Sequence, residues 1–345
     1  MTSSFRHQET ERTIAFGRGA IDSSLDLFGD GFTLLTTEQA SKAAPAVTAL
    51  ANEVITVPPG LVEEIAEVLR PLPVDRGLVA LGGGRVIDVA KALAAADRLS
   101  GLVAIPTTLS GAEMTGRHRQ IAGIPANTPY VRPTVVINDP SLSASQAVPD
   151  LAASSANALG HAITAVLSDR STPFARAVGS EALRSICSGW SGSEPDRDSL
   201  ALGALLAGWA VDKSGLGLHH AMAQTAVRAA SIGHAEANAA LLPATIAPSG
   251  DVVRRNFPTL ISYSASNSKC WQRDSPSKPA ALALAPSERT QHCVTRLLKQ
   301  FSLGLRSGLS PPPQIALSSL RSTSQPQVDA SVKHQCDSSC ARMTG

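Results

Sequence analysis

Three of the chain's eight histidines lie in one Ala-rich stretch, GLGLHHAMAQTAVRAASIGHAEANAALLP: His219, His220 and His234. An imidazole in apolar helical surroundings costs free energy unless it is paired or bound. These rings are therefore either satisfied core and surface residues or groups that face a cleft as proton donors, acceptors or metal ligands. Two other stretches carry chemistry-bearing residues. In LGGGRVIDVAK, Gly82, Gly83 and Gly84 stand between a strand-like and a helix-like segment. Bare backbone N–H groups there can converge on a phosphate at a helix N-terminus, and the same glycines also suit a tight strand-to-helix turn. The pattern is not G-x-G-x-x-G, so the Rossmann fingerprint does not apply. In IPTTLSGAEMT, Thr107, Thr108 and Ser110 follow another strand-like run. Their hydroxyls either meet a ligand at the C-terminal edge of a sheet or cap a helix.

These residues need elements to position them. GFTLLTTEQA from Gly31, EVITVPP from Glu53, the LVAL run after Gly77, GLVAIP from Gly101 and TVVIN from Thr134 read as short buried strands. LVEEIAEVLRPL, from Leu61, has helical apolar spacing and stops at prolines. Strands alternating with helices predict an α/β domain with a mainly parallel sheet over residues 1–150. From Leu151 the chain turns Ala-rich and helical, which predicts an all-α domain over 151–250. Residues 251–345 differ in kind, with 17 serines and 12 Lys+Arg against 5 Asp+Glu. Only Glu288 to Leu305 has helical spacing there. Such a Ser/Pro-rich basic tail reads either as a disordered segment or as one translated in a shifted frame.

Composition narrows the partners. Aromatic residues make up 3% and the net charge is +2, which gives no stacking platform and no basic field for nucleic acid. No apolar run reaches the roughly 18–20 residues of a membrane span. The charged start, MTSSFRHQETERTIAF, has no apolar signal core, so a cytoplasmic protein is expected. Five cysteines do not make a disulfide framework at this length.

GGGRVIDVAK, IPTTLSGAEMT, NDPSL, SSANALGHAITA and GLHHAMAQ…IGHAEANAALLP occur in this order and at these separations. Together, over roughly residues 13–247, they resemble the iron-containing alcohol dehydrogenase family, and within it the maleylacetate reductases. The resemblance implies a dehydroquinate synthase-like fold with an N-terminal dinucleotide-binding domain, a helical C-terminal domain and an active site between them. It implies NAD(H) or NADP(H) as cofactor, held by Gly82, Gly83, Gly84, Asp88, Lys91, Thr107, Thr108, Ser110 and the strand end at Thr36. Asp88 and Lys91 are also spaced to pair with each other on one helix. The family's metal ligands, an Asp and a His four residues on and two His 14 apart, fall on Asn157, His161, His220 and His234. Fe or Zn is the implied ion, and His161, His220 and His234 are the implied catalytic groups.

Two departures bear on the chemistry. Asn157 stands where the family has Asp, removing a charge that a divalent ion favours; maleylacetate reductases are similar in having Asn there. Gln224 stands where the family usually has a further His, and an amide cannot relay a proton as imidazole does. The resemblance thus implies an NAD(P)H-dependent reduction of 2-maleylacetate to 3-oxoadipate in aromatic-compound catabolism. A dicarboxylate substrate wants cations, and Arg117 and His118, just after SGAEMT, are candidates. The alternatives are a metal-dependent dehydrogenase of a small alcohol or aldehyde, and a nucleotide-binding homologue without catalysis. A homodimer without membrane or nucleic-acid partners is expected.

Overall fold

The computed structural model describes residues 4–29, 31–71, 77–230 and 234–246. A strand that is apolar at every position needs cover on both faces. Leu78–Gly82 and Leu102–Pro106 are strands of that kind, and every residue in both is buried. They are β5 and β6 of a sheet whose other strands are β1 (Phe5–Gln8), β2 (Thr13–Phe16), β3 (Thr33–Thr36), β4 (Glu53–Thr56) and β7 (Val135–Asn138). The order is β1-β2-β7-β6-β5-β3-β4. Only the β1–β2 pair is antiparallel.

The two faces follow the period-2 alternation of the strands. Leu35, Ile55, Leu78, Ala80, Leu102 and Ala104 face α3 (Val62–Leu69) and α4 (Gly84–Asp97). Leu34, Val79, Leu81, Val103, Ile105 and Ile137 face Phe28, Phe32, α1 (Glu38–Ala43) and α2 (Pro45–Leu50). From β3 the chain moves outward to β4, whereas β5, β6 and β7 step away in the other direction. The neighbouring ends of β3 and β5 therefore frame the switch point, where an open α/β sheet leaves a crevice.

Two strands lay outside the sequence expectation. All four residues of β1, FRHQ, are exposed, so no apolar alternation marks it. β2 shows only Ile14, Ala15 and Phe16 as a short buried run. The short strand read in GFTLLTTEQA spans Thr33–Thr36 and closes in its polar end, where Thr37 accepts a hydrogen bond from Ala40 N and caps α1.

After β7 the described chain is helical: α5 (Val148–Leu167), α6 (Pro173–Gly189), α7 (Arg197–Ser214), α8 (Leu218–Ala230) and α9 (His234–Ile246). Proline in the first turn starts α5 and α6, and Asp196 caps α7 by accepting from Asp198 N and Ser199 N. α5 is buried continuously from Leu151 to Ile163. Its neighbours approach closely because the contact residues are small. A Cβ on Gly203 of α7 would lie 2.6 Å from Ile186 Cγ1 and 3.0 Å from Ile186 N on α6. No helix among the described residues is long and apolar enough to cross a membrane. The tail expectation for 251–345 lies outside the described residues.

The α6–α7 crossing makes a direct test of this packing. Gly203→Val forces the helices apart and is expected to cost about 3 kcal/mol, read as a lower urea midpoint at unchanged m-value.

Candidate active site

β5 runs into Gly83, which precedes α4 without any side-chain cap. The glycines have a packing reason: a Cβ would lie 2.7 Å from Val86 at Gly82, 3.1 Å from Thr108 at Gly83 and 2.9 Å from Ser110 at Gly84. The turn thus lies against the loop that leaves β6, and the first N–H groups of α4 stay available to an anion. Beside them is a cleft of about 210 Å³ lined by Thr37, Gln39, Ala40, Thr107, Thr108, Ser145, Gln146 and Asp150. A second hollow of about 270 Å³, along β1 and β2, contains none of the candidate residues.

Two expected cofactor contacts have other roles. Thr36 is 1% exposed and its hydroxyl donates to Thr37 O at 3.3 Å, so Thr37 rather than Thr36 reaches the cleft. Lys91 is fully buried, and Nζ donates to Ala112 O at 2.9 Å, Thr115 O at 3.1 Å and Arg117 O at 3.1 Å. It also lies 2.7 Å from the Asp88 carboxylate. Lys91 clamps the loop; its donors are already used.

The implied ligand positions do meet. Asn157 and His161 lie one turn apart on α5, His220 is on α8, and His234 opens α9. The His161 and His220 ring centroids are 5.6 Å apart, and those of His220 and His234 are 5.5 Å apart. Asn157 Nδ2 donates to Ser110 O at 3.0 Å, which turns Oδ1 away with no protein partner. Both nitrogens of His161 and Nδ1 of His220 are likewise buried and unpartnered. His219 stands apart: Nδ1 pairs with Thr245 Oγ1 at 2.8 Å, and its ring lies against Gly160, where a Cβ would come within 2.4 Å.

Burial sets the protonation of these rings. It holds His161 well below the ordinary histidine value, with repulsion from His220, His234 and His219 adding to the effect. His220 falls to about 4 through burial and then through His234, His219 and Arg119. The imidazoles are therefore neutral at pH 7. The tautomer of His220 follows from its neighbour. Arg119 Nη2 can only donate, so Gln224 turns its amide oxygen to Arg119 and its Nε2 to His220 Nε2, 3.2 Å away. His220 Nε2 then accepts, and the proton sits on Nδ1, which is buried without a partner.

The expected substrate cations are placed differently. His118 is 9% exposed, with Nδ1 paired to Arg119 O at 2.8 Å and Nε2 accepting from Val131 N at 3.4 Å. Both nitrogens serve the backbone, and burial lowers its pKa, so it offers no cation. Arg117 is exposed and stacks on Tyr130 with its guanidinium carbon 5.8 Å from the ring centroid. The cation beside the imidazoles is Arg119, which the sequence reading missed.

Residues 151–282 match the Fe-containing alcohol dehydrogenase family, C-terminal. The match extends past residue 247, where the motifs that carry the resemblance end. A probable alcohol dehydrogenase, EutG, of Salmonella typhimurium is 31% identical over 280 residues, covering 68% of this chain and 69% of that protein. The chain belongs to the iron-containing alcohol dehydrogenase family. Maleylacetate reductase 1 of Rhodococcus opacus is 34% identical over 175 residues, and the match spans about half of each chain, 48% of this one and 49% of that enzyme. Among solved structures, maleylacetate reductase from Rhizobium sp. strain MTP-10005 superimposes with a TM-score of 0.65 at 25% identity, covering 86% and 85% of the two chains.

The family name implies iron. The donors here are three neutral imidazoles and an amide, without the carboxylate that would offset a divalent charge. Gln224 occupies one nitrogen of His220. No three His, Cys, Asp or Glu side chains among the described residues form a group able to hold a metal ion. As arranged, the set fits hydrogen bonding to a substrate better than tight coordination of an ion.

Glu113, in the SGAEMT motif, is 1% exposed; one of its oxygens has no partner, and burial raises its pKa to about 7. The native state then binds a proton that the unfolded chain has lost between about pH 4.5 and 7, so this group's stabilising share is lost as pH rises through that window. Glu113→Gln is expected to be the more stable protein at pH 8 by about 3 kcal/mol, with most of the gain gone at pH 5. Urea unfolding at the two pH values reads the difference. The lowered histidines act oppositely: their contribution is intact above pH 6.5 and is lost as pH falls toward about 4.

Proposed function

We propose that this chain is an NAD(P)H-dependent reductase of the maleylacetate reductase type, converting 2-maleylacetate to 3-oxoadipate. The observation that carries the reading is the cluster of neutral imidazoles around His220, in which both nitrogens of His161 and Nδ1 of His220 have no protein partner, in a chain whose sheet also opens a Thr-lined cleft at its switch point. Relatives named maleylacetate reductase support it. The backbone N–H groups at Gly83 and Gly84, with Thr37, Thr107 and Thr108, are the groups that would hold a dinucleotide. When bound, its nicotinamide supplies a hydride to the alkene carbon β to the substrate's ketone.

The chain's own residues then meet the charge that develops. As the carbon–hydrogen bond forms, the alkene electron pair shifts and the ketone oxygen becomes an enolate. His220 Nδ1–H is a desolvated donor without an acceptor, and a donor of that kind stabilises an oxyanion most where water is excluded. The proton needed at the α carbon comes from His220, from His161 or from a water they hold. Asn157 Oδ1 is the acceptor that can orient such a water or the His161 N–H. Thr36 and Thr37 place no carboxylate on the end of β3 itself, so the site need not reject a 2′-phosphate. Cytoplasmic location and a homodimer complete the reading.

NADH oxidation driven by maleylacetate, assayed with and without a strong chelator, tests the proposal. Turnover is expected to survive chelation, and NADPH to serve with a preference below about a thousandfold. Activity on small alcohols that chelation abolishes would favour the metal-dependent alcohol dehydrogenase reading, to which EutG lends its name. Nucleotide binding without any turnover would favour the non-catalytic one. His220→Asn is expected to lower kcat about 100-fold with a much smaller effect on nucleotide affinity, separable by single-turnover kinetics and fluorescence titration.

A further inference from the structure

Arg119 is half-buried, and the hydrogen bond it makes runs from Nη2 to the amide oxygen of Gln224. Arg12, Arg18, Arg70 and Arg132 each reach a carboxylate, whereas Arg119 has no acidic partner among the described residues. A guanidinium carries five N–H donors in a planar fork that matches a carboxylate in two parallel bonds. Nearly all of that fork is unspent here, in a partly desolvated position where an unmatched charge is costly. Gln224 bridges it to His220, so the cation and the ring donor are held one amide apart.

We propose that Arg119 is the specificity-determining residue of the site, binding a substrate carboxylate and thereby selecting a dicarboxylic enone over a neutral aldehyde or ketone. The inference rests on the reductase reading given above and deepens it. A substrate whose carboxylate lies a few carbons from its carbonyl can engage Arg119 and His220 together. A small alcohol or aldehyde reaches only His220. The exposed Arg117 and the backbone-bound His118 cannot make that contact.

The test compares the full-length wild type with Arg119→Ala and Arg119→Lys on maleylacetate and on its neutral dimethyl ester, with NADH affinity measured separately by fluorescence. Arg119→Ala is expected to raise KM for the dianion about 100-fold more than KM for the ester and to leave the NADH affinity within about twofold. Its kcat is expected to fall alike on both substrates, because Gln224 beside His220 loses its partner. Arg119→Lys recovers only part, because a point charge replaces a fork; it carries the same comparison where the alanine variant does not fold. Unchanged KM for the dianion, or an equal rise in KM on dianion and ester, would overturn the assignment. Where the wild type turns over neither substrate, glutarate binding to the NADH-loaded protein is measured by calorimetry. Binding by wild type that Arg119→Ala abolishes upholds the carboxylate site while the reductase reading fails; equal binding, or none, overturns both.

Discussion

One helical turn of α5 pins the loop that leaves β6, and the site depends on that joint. Ser154 Oγ accepts from Leu109 N at 2.8 Å, and Asn157 Nδ2 donates to Ser110 O at 3.0 Å. The loop can come this close because Gly111, at φ +73°, lies where a Cβ would stand 3.2 Å from Gly208 Cα and 3.5 Å from His161 Nδ1. Any side chain there would be crowded and strained in a left-handed conformation. From this point the loop serves both halves of the chemistry in sequence. Thr107 and Thr108 line the cleft, Ser110 packs on Gly84, Lys91 gathers the carbonyls of Ala112, Thr115 and Arg117, and Arg119 arrives at Gln224. Gly116 N is fixed in turn by Asp212 on α7 at 2.8 Å.

The arrangement gives up stability to stay open. Asn157 Oδ1, both His161 nitrogens and His220 Nδ1 are buried without protein partners, and an unsatisfied buried polar group costs about 1–3 kcal/mol. The surrounding packing offsets this: α5, α6 and α7 enclose Leu151, Leu159, Ile186, Trp190 and Leu200 in one apolar cluster. Neutral rings are also the cheaper choice. A charged imidazole in the same place would add desolvation to mutual repulsion, and both effects lower the pKa of His161 and His220.

Much of this was legible in the sequence, for identifiable reasons. Strands β5 and β6 announce themselves because burial on both faces demands unbroken apolar runs, and the glycine turn is visible because it interrupts one. Residues 157, 161, 220 and 234 were legible through resemblance, since no periodicity says that α5, α8 and α9 converge. Other features were not. β1 is an exposed charged edge whose four residues carry no apolar pattern. Thr36 and Thr37 differ by one residue at a strand end, where one step exchanges burial for exposure. The pairing of Lys91 with Asp88 was legible from their spacing, but not the loop carbonyls that its Nζ also holds. Residues 117–119 lie in irregular chain, and with no period to say which side chain turns inward, the cation nearest the motif was chosen over the one that points at the site.

Asn157 joins the fold to the chemistry, because the amide does two things a carboxylate cannot do together. Its Nδ2 donates to Ser110 O; a carboxylate has no donor and would set an anion against that carbonyl. Its Oδ1 stays buried and unpartnered, an acceptor still available to the site. An Asp at 157 would therefore have to turn away from the loop or carry a compensating cation, which is the situation a bound divalent ion resolves. With Asn the loop is held by the protein's own hydrogen bond. The cation that remains nearby, Arg119, then acts on whatever anion enters, and the neutral rings beside it are left to hydrogen-bond a substrate oxygen.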